Sequence, residues 1–135
     1  MRKYAILKEP FSLNDYGDMC VKIMLHETKH GTYAYLYVTT DEYGSCSFDN
    51  CFEDLVDAEE YALDCGVRDE DWIMIDAPLK DCLHDQIHPI RRKGRNTEES
   101  KLASQYELWN GVDWVDIDLK QNNRSPIRDP KIKGD

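Results

Sequence analysis

Residues 20–40, CVKIMLHETKHGTYAYLYVTT, contain two runs rich in β-branched and aromatic residues, and a glycine separates them. In the second run, tyrosines alternate with smaller apolar residues from Thr32 onward, which is the period of a half-buried strand. Gly31 stands where a tight hairpin requires positive φ. The stretch therefore predicts a β-hairpin with Gly31 in its turn, and we expect this hairpin to form the centre of an antiparallel sheet.

The hydrophobic period changes in the next segment, NCFEDLVDAEEYALDCG, residues 50–66. Its pattern predicts a helix from about 51 to 65, with Asn50 as the N-cap, Glu53 completing a capping box and Gly66 ending the helix. We expect this helix to pack on one face of the sheet. The apolar residues predicted to face the sheet are Phe52, Leu55, Val56, Ala62 and Leu63.

The other segments complete an α+β fold with a mostly antiparallel sheet and one principal helix. The predicted strands or extended segments are 3–7, ended by Pro10, and 42–48, 71–76 and 86–94; residues 97–104 favour short helical turns, and 106–118 a second short hairpin. We expect residues 1–118 to form a single α+β domain. Residues 119–135 form a basic, proline-containing C-terminal tail.

Negative charge is concentrated in the central third of the chain. The whole chain carries a formal net charge of −10 over 135 residues. Residues 41–81 contain fourteen acidic and only two basic residues, whereas the remainder is slightly basic. This distribution repels nucleic acids and membrane surfaces and attracts basic partners. We therefore expect neither a membrane nor directly bound nucleic acid as a partner.

The composition predicts a cytoplasmic globular protein. No apolar run approaches the ~20 residues of a membrane span. The basic start MRKYAIL is followed too soon by Lys8, Glu9 and Pro10 to supply the ~7–15 apolar residues of a signal peptide. The five cysteines are then expected to be reduced thiols, because disulfides are rare in that compartment.

The string HETKH, residues 26–30, matches the H-E-x-x-H pattern of zinc peptidases. That chemistry needs both histidines on one helical face, where they reach the same zinc ion. Gly31 and the following β-rich run instead favour a strand and a turn. We therefore predict that His26 and His30 are not co-ligands.

A second group of candidate metal ligands lies in CLHDQIHP, residues 82–89. Cys82, His84, Asp85 and His88 are all chemically suitable, but their spacing matches no closed zinc motif. Cys51 at the predicted start of the helix is the best-placed thiol for a lowered pKa, although the surrounding carboxylates oppose that shift. We expect no cofactor, and a zinc-dependent or thiol enzyme that uses HETKH or CLHDQIH is the alternative.

The predicted helix carries a row of acidic residues opposite its apolar stripe. Glu53, Asp57, Glu60 and Asp64 follow the spacing i, i+4, i+7 and i+11, and no basic residue of the predicted helix lies at i±4 to neutralise them. One interpretation is solubility. The other is a surface that mimics the phosphates of DNA and occupies a basic groove. The candidate partner-binding residues are Glu53, Asp54, Asp57, Glu60, Asp64, Asp69, Glu70 and Asp71.

The segments EPFSLNDYGDM and PLKDCLHDQIHPIRRKGRNT, residues 9–19 and 78–97, in a small acidic α+β chain resemble the uncharacterised proteins of phages and bacterial mobile elements, anti-CRISPR proteins among them. The resemblance covers the chain loosely and transfers no catalytic residue. It implies a stoichiometric inhibitor, not an enzyme, whose partner is a basic nucleic-acid-binding protein such as a CRISPR effector. The basic run RRKGR, residues 91–95, fits less well, since it is suited to contacts with nucleic acid or an acidic patch, or to internal pairing with the acidic third of the chain.

Overall fold

The computed structural model describes residues 1–93 and 105–119, which form two compact units. The first unit contains Met1–Thr40 and Cys46–Ala77. The second contains Asp41–Ser45 and residues 78–93 and 105–119. The expectation of one domain over residues 1–118 stays a prediction.

A five-stranded antiparallel sheet forms the body of the first unit, and its order is β4-β3-β2-β1-β5. The strands are β1 (Arg2–Ser12), β2 (Met19–Thr28), β3 (Gly31–Tyr37), β4 (Phe48–Phe52) and β5 (Ile73–Ile75). The α+β class, the antiparallel sheet and the single principal helix are confirmed.

The predicted central hairpin is present as β2 and β3. Its two strands pair from Lys22 opposite Tyr37 to Thr28 opposite Gly31, and Lys29 and His30 form the connecting turn. Gly31 has φ +140°, a value that side-chain-bearing residues rarely adopt. Its α-carbon also lies close to β4, because a Cβ added there would stand 2.9 Å from the carbonyl oxygen of Phe52. The glycine therefore permits both the turn and the pairing of the next strand.

Three of the strands that the sequence predicts have different bounds in the structure. Strand β1 continues through Pro10 to Ser12, with an irregularity in its pairing to β2 between Ile6 and Phe11. This irregularity accommodates the proline, which has no N–H to donate to a neighbouring strand. The predicted strand 42–48 is absent apart from Phe48, where β4 begins; strand 71–76 is shortened to β5 because Asp69–Asp71 form a 3₁₀ turn.

The principal helix, α1, spans Leu55–Asp64, so it starts about four residues later than predicted. Asn50 and Cys51 belong to β4, and Asp54 is the N-cap, with its side chain accepting a hydrogen bond from the backbone N–H of Asp57. The C-terminus agrees with the prediction. Gly66 at φ +101° donates its N–H to Leu63 O, and the Val67 N–H reaches Ala62 O, which is a Schellman termination.

Helix α1 contacts the sheet through small side chains. Ala58 and Ala62 are fully buried against a cluster that includes Ile23 and Leu25 of β2. Leu55, Tyr61 and Phe52 are partly buried at the edge of this cluster. The expectation that Val56 and Leu63 face the sheet is wrong. They are 62% and 52% exposed, because the alanines occupy the line of closest contact.

The second unit contains a three-stranded antiparallel sheet with the order β6-β7-β8. Its strands are β6 (Ile90–Arg92), β7 (Tyr106–Trp109) and β8 (Trp114–Ile117). The predicted hairpin over 106–118 is therefore confirmed, and Ile90–Arg92, within the predicted extended segment 86–94, form the third strand. The ring centroids of Trp109 and Trp114 lie 5.4 Å apart across the hairpin, as expected for a cross-strand aromatic pair.

Residues 97–104 and the tail beyond Leu119, for which helical turns and a basic tail were predicted, lie outside the described residues. In the described ranges, no helix has both the length and the apolar character required to cross a membrane.

The structure predicts a specific cost for adding one methyl group at the hairpin turn. Gly31→Ala meets both an unfavourable φ and the Phe52 carbonyl oxygen, whereas Gly111→Ala at φ +98° has nothing within 4 Å of its new Cβ. We expect Gly31→Ala to lower the free energy of unfolding by at least roughly 2 kcal/mol, and Gly111→Ala by about 1 kcal/mol. Urea unfolding measures both values. Equal losses would contradict the close approach of β4 at Gly31.

Candidate acidic interaction surface

The acidic row is exposed at the surface of the first unit. Glu53, Asp57, Glu60 and Asp64 are all exposed, and within residues 1–93 and 105–119 none of them forms an ion pair. The later start of α1 changes one detail, since Glu53 precedes the N-cap and only the other three carboxylates lie on the helix. These three are available for contacts with another molecule.

The other predicted partner-binding residues divide into two kinds. Asp69 and Glu70 are exposed. Asp54 and Asp71 hold local structure: Asp54 caps α1, and Asp71 accepts a hydrogen bond from the Arg68 N–H and pairs with Lys8 at 3.3 Å. The Arg68 N–H, with help from Lys8, lowers the pKa of the Asp71 carboxyl. The lowered pKa keeps Asp71 ionised, but its side chain is only 12% exposed and its charge is paired with Lys8, so less of that charge is available to a partner.

The described part of the basic run 91–95 pairs with groups of its own unit. Arg91 Nε donates to Glu107 Oε1 at 2.7 Å, and its guanidinium lies 3.7 Å from the Trp114 ring centroid. Lys93 contacts Asp116 at 2.8 Å, which raises the pKa of Lys93. The ion-pair partners of Arg91 and Lys93 thus belong to their own unit, and Arg95 lies outside the described residues.

A buried lysine joins the sheet to α1 and to the segment that follows it. Lys3 on β1 places its Nζ 2.6 Å from Glu59 Oε2 and 4.7 Å from the Trp72 ring centroid. Its side chain is only 10% exposed. Sequence reasoning did not identify this residue, although Lys3, Ala5 and Leu7 alternate on the helix-facing side of β1. A lysine on an apolar strand face indicates a carboxylate partner on the element that covers that face.

A groove lies beside the acidic row, between α1 and the segment that leads to β5. We call it the α1 groove; its volume is about 260 Å³. Apolar and acidic side chains share its lining, and these are Val56, Leu63, Val67, Trp72, Glu59, Glu60 and Asp69. The sequence does not predict this groove, because its helical pattern places Val56 and Leu63 in the core.

The HETKH string does not form a helix. His26 is buried on β2 opposite Arg2 and Tyr33, whereas His30 is exposed in the turn. The prediction that residues 23–31 form a strand and turn is confirmed. Among the described residues, no group of three or more His, Cys, Asp or Glu side chains is arranged to hold a metal ion.

The remaining candidates for metal binding or thiol chemistry are His88 of the CLHDQIHP segment and three of the cysteines. His88 Nε2 lies 3.1 Å from Glu42 Oε2, with its ring near Tyr43. Burial raises the pKa of the Cys20 thiol to about 11 and also raises that of Cys65. A nucleophilic cysteine requires the opposite shift. Cys51 is exposed on β4 and does not lie at a helix N-terminus, contrary to its predicted place.

Comparisons of the chain with protein-family models, curated proteins and solved structures gave no significant match. The candidate site is therefore defined by its own geometry, which is an exposed acidic row beside a partly apolar groove.

Two lysines of β1 provide a matched test of the packing beneath this groove. Lys3→Met leaves the Glu59 carboxylate without its buried partner, and we expect the free energy of unfolding to fall by roughly 1–2 kcal/mol. Lys8→Met breaks an ion pair whose lysine is 72% exposed, so we expect no measurable change. Chemical denaturation distinguishes the two. A neutral Lys3→Met would contradict the proposed link between β1, α1 and Trp72.

Proposed function

We propose that the protein is a non-enzymatic interaction protein that binds a basic, nucleic-acid-binding surface of a partner protein. The observation that supports this best is the row of exposed carboxylates on α1, none of which has an ion-pair partner among the described residues. In this account the protein is a stoichiometric inhibitor that acts as a DNA mimic.

The regular spacing of the row favours recognition of a basic groove. Asp57, Glu60 and Asp64 are separated by three and four residues, which places successive Cβ atoms about 5–6 Å apart on one side of a helix. A rigid row of negative charge presents the feature that a groove lined with Lys and Arg recognises in a phosphate backbone. Because the row lies on a capped helix, little ordering is required when the partner binds.

The arrangement of charge also disfavours the solubility interpretation. Like charges at i, i+4 disfavour a helix slightly, and α1 has no basic residue in its last turn. Solubility alone is served equally by interspersed lysines, which add favourable pairs on the same helix. The proposal places the protein in the cytoplasm with a CRISPR effector as the kind of partner that the resemblance to mobile-element proteins implies.

Four amide substitutions test the role of the acidic row. Glu53→Gln, Asp57→Asn, Glu60→Gln and Asp64→Asn remove four negative charges from exposed positions and should leave the fold intact. The partner is first captured from host lysate with the wild-type chain and identified. We then expect the variant to bind this partner at least about tenfold more weakly at about 0.05 M salt, mainly through a slower association rate. At about 0.5 M salt the difference should be small, because exposed charges are screened.

A matched control separates position from net charge. Glu9→Gln, Asp15→Asn, Glu27→Gln and Asp113→Asn remove the same charge at exposed positions that do not belong to the row. This control should keep most of the affinity. An equal loss of affinity in the row variant and in the control would show that only net charge matters. Unchanged binding by the row variant would refute the proposal. A DNA oligonucleotide should also compete with the wild-type chain for the partner.

A further inference from the structure

We infer that the α1 groove receives an apolar side chain of the partner, while basic residues of the same segment contact the carboxylates beside it. The proposed occupant is thus a basic amphipathic segment of a partner protein. This inference rests on the proposed function, since it names the part of the partner that the acidic surface binds.

The exposed apolar side chains of α1 point to an apolar anchor. Val56 and Leu63 are 62% and 52% exposed and lie seven residues apart, so they share one side of the helix. Their separation along the axis is about 10 Å at 1.5 Å per residue. Two anchors at i and i+7 of an amphipathic helix have this same separation, and such helices commonly bind in grooves of this kind.

The floor of the groove is held in place before any partner binds. Val67 is 3% exposed, and the Schellman termination of α1 turns the chain so that this residue packs back against the helix. Trp72 is half-buried and has the Lys3 ammonium 4.7 Å from its ring centroid. A fixed floor reduces the entropy that is lost on binding, and it offers an aromatic surface to an incoming aliphatic side chain.

Charge at the groove selects a basic occupant. Glu59 is neutralised by Lys3, but Glu60 and Asp69 are exposed and form no ion pair with the described residues. These carboxylates repel anionic lipid and nucleic acid. They also disfavour a second copy of this chain, which carries a net charge of −10. A segment with lysine or arginine beside its apolar anchors is complementary to both features.

Two synthetic helical peptides test the inference by calorimetry. Both carry lysines on their polar face; one has leucines at i and i+7 of the other face, and the second has alanines there, so their charge is equal. We expect the wild-type chain to bind the leucine peptide about tenfold more tightly, which corresponds to burial of roughly one apolar side chain. Equal affinities would overturn the inference.

Variants of the chain test whether the groove causes the tighter binding of the leucine peptide. Val56→Ala with Leu63→Ala keeps good helix formers on α1 and should reduce the ratio of the two affinities to near one. Val112→Ala is the control, because Val112 is 75% exposed in the second unit, and the tenfold ratio should persist there. A ratio that persists in the double variant would refute the groove as the site.

The same peptides distinguish failure of this inference from failure of the proposed function. In one outcome, the wild-type chain binds both peptides equally well, and Glu60→Gln with Asp69→Asn lowers the affinity for both peptides by the same factor. The acidic surface then binds basic segments, and only the groove inference fails. If these two substitutions and the four amide substitutions leave both affinities unchanged, the proposed function fails as well.

Discussion

Helix α1 packs on the sheet through two alanines, and this contact determines which side chains the protein presents to solvent. With Ala58 and Ala62 buried at the closest approach, Asp57, Glu60 and Asp64 point away from the sheet, and the larger Val56 and Leu63 are also displaced outward. A helix with leucine or isoleucine at the two alanine positions would stand farther from the sheet. The acidic row and the α1 groove therefore arise from one packing arrangement.

The rest of the first unit holds this arrangement against the repulsion between the carboxylates. Asp54 caps the start of α1, and the Schellman termination at Gly66 satisfies its last carbonyl groups. Lys3 forms the internal ion pair between β1 and Glu59, so one acid of the helix serves packing while its neighbours remain unpaired among the described residues. Local stability thus comes from caps and apolar contacts, which leaves the surface charge available for recognition.

The sequence predicts the features that depend on local chemistry. The β2–β3 hairpin follows from alternation and from the backbone freedom of Gly31, and the end of α1 follows from Gly66. The sequence predicts too early a start for α1, because Asn50 and Asp54 have the same capping chemistry. Asn50 belongs to strand β4, because the chain pairs with β3 as far as Phe52 and the helix can begin only after that residue. Only tertiary pairing decides between the two caps.

The candidate site is predicted only in part, for a related reason. Charge and spacing identify the exposed carboxylates, which depend on the composition of a single helix. The α1 groove depends on which apolar residues touch the sheet, and helical periodicity alone does not choose between the Val56–Leu63 line and the Ala58–Ala62 line. The role of Lys3 likewise becomes visible only when the pairing of β1 with β2 is known, because Lys3 lies opposite Leu25 and therefore beneath the helix.

We propose that binding is localised on the α1 surface and is not spread over an acidic protein. Nuclear magnetic resonance tests this proposal, by following the backbone amide and tryptophan indole N–H signals of the labelled chain as the leucine–lysine peptide is added. We expect the largest shifts within residues 53–72, with the indole N–H of Trp72 among them. Shifts of similar size at the acidic residues of both units, or shifts centred on the second unit, would contradict it.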